Sequence, residues 1–255
     1  MMLLAIDIGN TNIVLGVFKE KNLVTNWRIF TEKDKTADEY GISILNLFHF
    51  SKINPFSISG IIISCVVPPL ISVFTQMSEK YFKINPLIVA PGIKTGLAIL
   101  YDNPHEVGAD RIVNGVAAYH KYGGPCIVVD FGTATTFDAI SEKGEYLGGS
   151  IAPGLYISAE ALSEKTAKLP RVEIKRPKNI IGKTTVASIQ SGLFYGYIGL
   201  IEKIISQMKK ELGSKTKVIS TGGIAEEITA QIKMINYHDP YLTLEGLRII
   251  YERNK

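Results

Sequence analysis

Residues 5–16 read AIDIGNTNIVLG. With Leu3 and Leu4 before it, this segment predicts two buried β-strands joined by a turn, because short apolar, β-branched runs bounded by turn formers suit a pleated surface covered on its faces. An acid, Asp7, interrupts the pattern. A lone carboxylate in such surroundings is costly unless it is paired, hydrogen-bonded or bound to a metal. Asp7 therefore needs a partner, and the Gly-Asn-Thr-Asn that follows has to be explained with it.

Shifting the chain by 123 residues lays LLAIDIGNTNIVLGVF over CIVVDFGTATTFDAI, matching Asp7 with Asp130 and Gly9 with Gly132. Both segments place an acid near the end of an apolar strand, then glycine and small polar residues, then a second strand. Later segments echo as well: IIISCVVPPL resembles KVISTGGIAEEI, each a strand ending in a small-residue turn before a helix. Strand-like and helical runs alternate through most of the chain, an α/β pattern. Self-similarity of this kind predicts a duplicated α/β unit, with expected domains at 1–117 and 118–255.

The chain has 255 residues, 46% of them apolar and 20% charged, enough for one large or two small globular domains. A formal charge of +4 with scattered Lys and Arg provides no basic stripe for a nucleic-acid backbone. Asp7 breaks the apolar N-terminus and no basic leader precedes it, so no secretory signal is expected. The most apolar interior run, GIIISCVVPPLISVF, is cut by Pro68 and Pro69 and is too short to span a bilayer. Cys65 and Cys126 lie in apolar runs without metal-ligand spacing. They read as small buried hydrophobes and favour a reducing cytoplasm.

A turn holding Gly9, Asn10, Thr11 and Asn12 offers closely spaced backbone N–H groups and short polar side chains that can cradle phosphate oxygens. Asp7 beside it would repel a bare phosphate but can hold Mg²⁺, which is usually bound through one or two carboxylates plus substrate phosphates. A plain hydrogen-bonded hairpin turn is the alternative for either copy alone, since Asn, Asp and Gly favour turns for their own reasons. The second copy at Asp130 favours the shared functional reading. IGKTT at 181–185 looks like the end of a P-loop, but that motif needs glycine where Pro177 stands, and no strand leads into it.

With both turns placed, the chain resembles the acetate and sugar kinase, Hsp70 and actin superfamily, and within it the type III pantothenate kinases. The motifs are DIGNTN (7–12), NPHEVGADR (103–111), DFGTATT (130–136), GGSIAPG (148–154) and TAKLP (166–170). The resemblance implies duplicated ribonuclease-H-like domains of the actin-like ATPase fold, with the ATP cleft between them. It further implies ATP-dependent phosphorylation of pantothenate, the first step of coenzyme A synthesis, by a homodimer; together with the charge, hydropathy and cysteine readings this makes a cytoplasmic enzyme that binds neither nucleic acid nor membrane the expectation. Carried over residue by residue, the ATP-phosphate loop falls on Asp7, Ile8, Gly9, Asn10, Thr11, Asn12, Ile13 and Val14, with Asp7 serving Mg²⁺ through ATP and Thr133 as a further ATP contact. The substrate segment falls on Gly108, Ala109, Asp110 and Arg111, with Asp110 as catalytic base. Tyr101 and Thr185 match further pantothenate contacts, and Asp130 matches the ligand of a monovalent cation, K⁺ or NH₄⁺. TGG at 221–223 matches the superfamily's adenosine-side turn.

Phosphoryl transfer needs the acceptor hydroxyl in line with the γ-phosphorus, a cation to offset charge and a group to orient or accept the proton. Asp110 suits the last role, and the planar donor fork of Arg111 suits a carboxylate or a phosphate. On the local pattern alone the commoner role for Asp110 is to cap, or sit in the first turn of, the helix that GADRIVNGVAAYHKYG predicts. His105, after Asn103 and Pro104, is expected on a solvated loop, and Phe194, Tyr195 and Tyr197 in the core or a subunit interface. Two other functions fit the same turns: a phosphatase of this superfamily acting on polyphosphate or nucleotides, and a non-catalytic nucleotide-binding accessory protein.

Overall fold

The structure, a computed structural model, describes residues 2–223 and 226–255; Ile224 and Ala225, within the segment KVISTGGIAEEI, lie outside them. The chain folds as two compact units, Met1–Leu97 with Asp102–Ala117 and Tyr241–Lys255, and Ala98–Tyr101 with Ala118–Pro240.

In the first unit β1 (Met2–Ile8), β2 (Asn12–Lys19) and β3 (Asn22–Phe30) form an antiparallel meander, and β4 (Ile58–Cys65) and β5 (Leu87–Ile88) extend it in parallel on the other side of β1. The order is β3-β2-β1-β4-β5. The second unit holds β6 (Ala98–Ile99), β7 (Cys126–Phe131), β8 (Ala134–Ile140), β9 (Glu145–Pro153), β10 (Lys217–Gly222) and β11 (Tyr237–His238), ordered β11-β10-β7-β8-β9-β6. Read from β9 to β11, this sheet repeats the first strand for strand, including the antiparallel β7–β8–β9 meander and the parallel β7–β10–β11 side. The edge strand β6 is an addition, parallel to β9. The expected duplication is therefore present as two copies of one sheet plan.

The helices are α1 (Ala37–Phe50), α2 (Pro68–Met77), α3 (Ala109–Tyr122), α4 (Leu155–Glu164), α5 (Thr185–Leu212), α6 (Glu226–Thr229) and α7 (Leu242–Arg253). Thr36 starts α1 with a capping box to Glu39. Tyr40, Ile44 and Phe48, spaced along one face of that helix, are buried with Leu4, Ile6 and Ile8 of β1. Pro68 and Pro69 divide GIIISCVVPPLISVF into β4 and α2, because proline ends the ladder and suits a helix's first turn.

Side chains alternate across a strand, so Leu3, Ala5 and Asp7 leave the first sheet by the face opposite Leu4, Ile6 and Ile8. That face is covered by α7, which packs against β1, β2 and β4. It buries Leu242, Leu244, Leu247 and Ile250. Both faces of β1 are thus covered, which explains its nearly unbroken apolar run. Next to the sheet, α7 also meets α3: a Cβ on Gly246 would run into the Val113 carbonyl oxygen, and Thr243 Oγ1 donates to Asn114 Oδ1 at 2.7 Å. The sequence reading assigns all of 118–255 to a second domain. In the structure Tyr241–Lys255 belongs with the first unit, because the apolar stripe of α7 finds its partner surface there.

In the second unit, Ile127, Val129, Phe131 and Phe137 pack against Ile189, Phe194, Tyr197 and Ile201 of α5. Phe194 and Tyr197 are core residues, and Tyr195 is half-buried beside them. Among the described residues no helix is long and apolar enough to cross a membrane.

Candidate active site

Asp7 and Asp130 hold equivalent places. Each is the penultimate residue of its strand, β1 or β7, and each leaves its sheet on the face opposite the main apolar helix layer. Asp7 lies in register with Val14 on β2 and Ser64 on β4; Asp130 lies in register with Thr136 on β8 and Thr221 on β10. The first turn is closed by Gly9 N–H donating to Asn12 O at 3.0 Å. It is tied to β3 by Thr31, whose N–H donates to Thr11 O at 3.0 Å and whose Oγ1 donates to Gly9 O at 2.7 Å. Carbonyl groups are thereby turned inward and Asn10 and Thr11 are exposed at the tip, an arrangement that suits anionic oxygens.

The base of this turn adjoins the GADR segment (108–111) within the same unit. Val66 N–H donates to Ile8 O at 3.0 Å, and a Cβ on Gly108 would sit 3.8 Å from Val66 Cγ1 and 2.5 Å from Asp110 Oδ1. The exit of β4 thus joins Asp7 and Ile8 to the start of α3. Gly108 O accepts from the N–H groups of Arg111, at 3.1 Å, and Ile112, at 3.3 Å, and so opens the helix.

Asp110 lies in the first turn of α3, and its Oδ1 accepts from Arg111 N–H at 2.8 Å. Burial pushes its carboxyl above the ordinary carboxylate range, opposed by that hydrogen bond and by the Arg111 charge. Asp110 is thus the first-turn helix acid of the local pattern, in surroundings that raise its carboxyl. Arg111 is buried, at 7% exposure, and its charge acts on the Asp110 carboxyl.

Around Asp130 the second unit packs backbone. Gly222 has φ 96°, and a Cβ there would lie 2.7 Å from Asp130 Oδ1. Gly223 N–H donates to Phe131 O at 3.1 Å. The TGG turn therefore lies against the Asp130 carboxylate, and a side chain at position 222 would be both strained and in collision. Thr133 is exposed, and its carbonyl accepts from Gly154 N–H at 3.1 Å, which fastens the GGSIAPG segment to the DFGTATT turn.

Tyr101 lies beside Tyr146, with ring centroids 6.4 Å apart, and against Gly148. Thr185 heads α5 and, with Ser158, Leu162, Leu169, Ile189 and Leu193 among its neighbours, lines an open groove of about 520 Å³. Neither Tyr101 nor Thr133 lines that groove. His105 is exposed, on a short helical turn capped by Asn103, in line with a solvated loop. The IGKTT segment holds no P-loop: Thr184 caps α5, its side chain accepting from Ala187 N–H at 3.1 Å.

Among the described residues no cluster of three or more His, Cys, Asp or Glu side chains could hold a metal unaided. Asp7 and Asp130 nonetheless fit cations brought or completed by other oxygens, since carboxylate and main-chain oxygen are the donors that Mg²⁺ and alkali cations take. Cys65 offers no competing thiolate, because burial, with a smaller push from the Asp7 charge, raises its thiol. The deeply buried Cys126 is pushed up to about 12.

One polar residue here escaped the sequence reading. Ser64 is fully buried, yet its hydroxyl has no hydrogen-bond partner among the described residues. Its only mark in the sequence is a hydroxyl inside an otherwise apolar run.

A model of the family described as type III pantothenate kinase matches residues 3–207. The chain is 58% identical over 255 residues to a type III pantothenate kinase of Syntrophobacter fumaroxidans, covering 100% of this chain and 99% of that one. It is 56% identical over 253 residues to one of Moorella thermoacetica, covering 99% and 100%. Among solved structures it is similar to the inorganic polyphosphate/ATP-glucomannokinase of an Arthrobacter species, with a TM-score of 0.52 at 15% identity over 99% of this chain and 97% of that one. That likeness concerns the fold alone and agrees with the duplicated sheet plan of actin-like ATPases and sugar kinases. With sequence identity above half over the full length, the chain belongs to the type III pantothenate kinase family.

Proposed function

We infer that the chain carries out its family's reaction: it is a pantothenate kinase, transferring the γ-phosphoryl group of ATP to the primary hydroxyl of pantothenate in coenzyme A synthesis. The observation that carries the reading is the start of α3, where Asp110, with its carboxyl raised by burial, stands beside the buried Arg111 and adjoins the DIGNTN turn through Val66 and Gly108.

In this reading Asp110 accepts the proton of the attacking hydroxyl. A base works best when its pKa is lifted toward the operating pH, and burial lifts this one. The start of α3 and Arg111 attract an anionic group of the substrates; Gly108, Ala109, Tyr101 and Thr185 are each assigned as pantothenate contacts. Asp7, Ile8, Gly9, Asn10, Thr11, Asn12, Ile13 and Val14 hold the ATP phosphates, and Thr133 is a further ATP contact. A divalent cation arriving with ATP offsets phosphate charge, and Asp7 is its protein ligand. Asp130 binds the monovalent cation, supported by its packing against the TGG turn.

We place the enzyme in the cytoplasm as a homodimer. The exposed Ile180 and Ile181, adjacent in the second unit, are where we would look for that interface. Phosphorus NMR of a reaction mixture of the protein, Mg²⁺, ATP and pantothenate tests the function: a new phosphomonoester signal with equimolar ADP is expected. Inorganic phosphate in its place would instead favour a phosphatase.

A further inference from the structure

Asp7 has a neighbour on each side within the sheet. On β2 it is Val14, whose side chain is apolar, and on β4 it is Ser64. Register partners on adjacent strands leave a sheet by the same face, so the side chains of Asp7 and Ser64 emerge together on the α7 side. The Ser64 hydroxyl is fully buried and has no hydrogen-bond partner among the described residues. Buried hydroxyls are nearly always satisfied, and an exception calls for an explanation.

The second unit repeats the arrangement. There Asp130 faces Thr221, again a hydroxyl on the parallel neighbour strand and again buried. Overlaying the sequences pairs Ser64 with Ser220, whereas the strand register pairs it with Thr221. The hydroxyl beside the acid is thus kept by the fold rather than by the overlay.

We propose that Ser64 is a positioning residue for Asp7: when nucleotide binds, the Ser64 hydroxyl donates to an Asp7 carboxylate oxygen and fixes the carboxylate's orientation toward the cation that accompanies ATP. The inference rests on Asp7 serving the ATP-borne cation. Groups that orient a metal's carboxylate ligand typically change metal affinity about 10–100-fold when removed. A hydrogen bond to an ionised oxygen is also stronger than one between neutral groups.

Calorimetric titration of ATP into the full-length protein, at graded Mg²⁺ concentrations and without pantothenate, tests this on wild type, Ser64→Ala, Ser64→Cys, Asp7→Asn and the Ser64→Ala/Asp7→Asn double variant. Ser64→Ala should raise the Mg²⁺ concentration for half-maximal enhancement of ATP binding roughly tenfold, within the range for such orienting groups. Ser64→Cys, nearly isosteric with a weak donor, should shift it in the same direction. Affinity for ATP without Mg²⁺ and the melting temperature should change little. The double variant should match Asp7→Asn, since residues acting through one another are not additive. If Asp7→Asn loses the Mg²⁺ response while both Ser64 variants keep that of wild type, Ser64 does not position Asp7 and the role of Asp7 stands. If Asp7→Asn keeps the response, the assignment of Asp7 itself fails, and the proposal with it.

Discussion

At the scale of residues, the chemistry proposed here falls on the buried carboxyl of Asp110 and the strand-end carboxylates of Asp7 and Asp130. Asp110→Asn keeps size and capping ability but removes the proposed proton acceptor, so turnover should fall by ~10²–10⁴-fold, or roughly 3–5 kcal/mol of barrier. Pantothenate binding, measured by calorimetry, should change far less; a turnover loss under about tenfold would leave Asp110 a helix-start acid. The same substitution has a stability signature. Because burial raises the native pKa of Asp110 above its ordinary 3.8, the wild-type carboxylate is destabilising in the native state above that raised value. Asp110→Asn should therefore melt higher than wild type at neutral pH. The advantage should shrink as pH falls through the raised native pKa and vanish below the unfolded one; a constant advantage in thermal melts from pH 3 to 8 would contradict the burial argument. Asp130→Ala should abolish stimulation by K⁺ while leaving the melting temperature close to wild type. Undiminished stimulation would put the cation site elsewhere.

At the scale of elements, strands were more legible than helix partners. The apolar runs and turn formers around AIDIGNTNIVLG and CIVVDFGTATTFDAI mark β1, β2, β7 and β8, because period-2 burial and small polar turns are local properties. The destination of α7 was not legible. Its apolar stripe shows that it packs, but nothing local shows on which sheet, and residues 241–255 return to the first unit. Ser64 was missed for a similar reason, since its place beside Asp7 is a matter of register between strands far apart in sequence. Gly246→Ala examines the α7 packing directly. In an exposed helix interior this change is favourable by roughly 0.5–1 kcal/mol. Here the new Cβ meets the Val113 carbonyl, and Val113 Cγ1 at 2.8 Å, so denaturant unfolding should show a loss of about 1–3 kcal/mol. A gain in stability would mean that α7 does not lie against α3.

At the scale of the whole molecule, one sheet plan used twice gives two strand-end aspartates, each next to a turn and each beside a buried hydroxyl, with different duties proposed for them. The duplication was readable because both copies keep the acid, the glycine and the apolar strand. The specific chemistry was readable only through the resemblance carried by GADR and DFGTATT, since a DxG turn alone fits kinase, phosphatase and accessory protein alike. The test that bears most directly on the central claim is ADP release from ATP and Mg²⁺ by the purified full-length protein, with and without pantothenate, in buffers containing K⁺ or only Na⁺. ADP formation should depend on pantothenate and be strongly stimulated by K⁺. ADP or phosphate released at the same rate without pantothenate, or ATP bound with no turnover in either buffer, would contradict that claim.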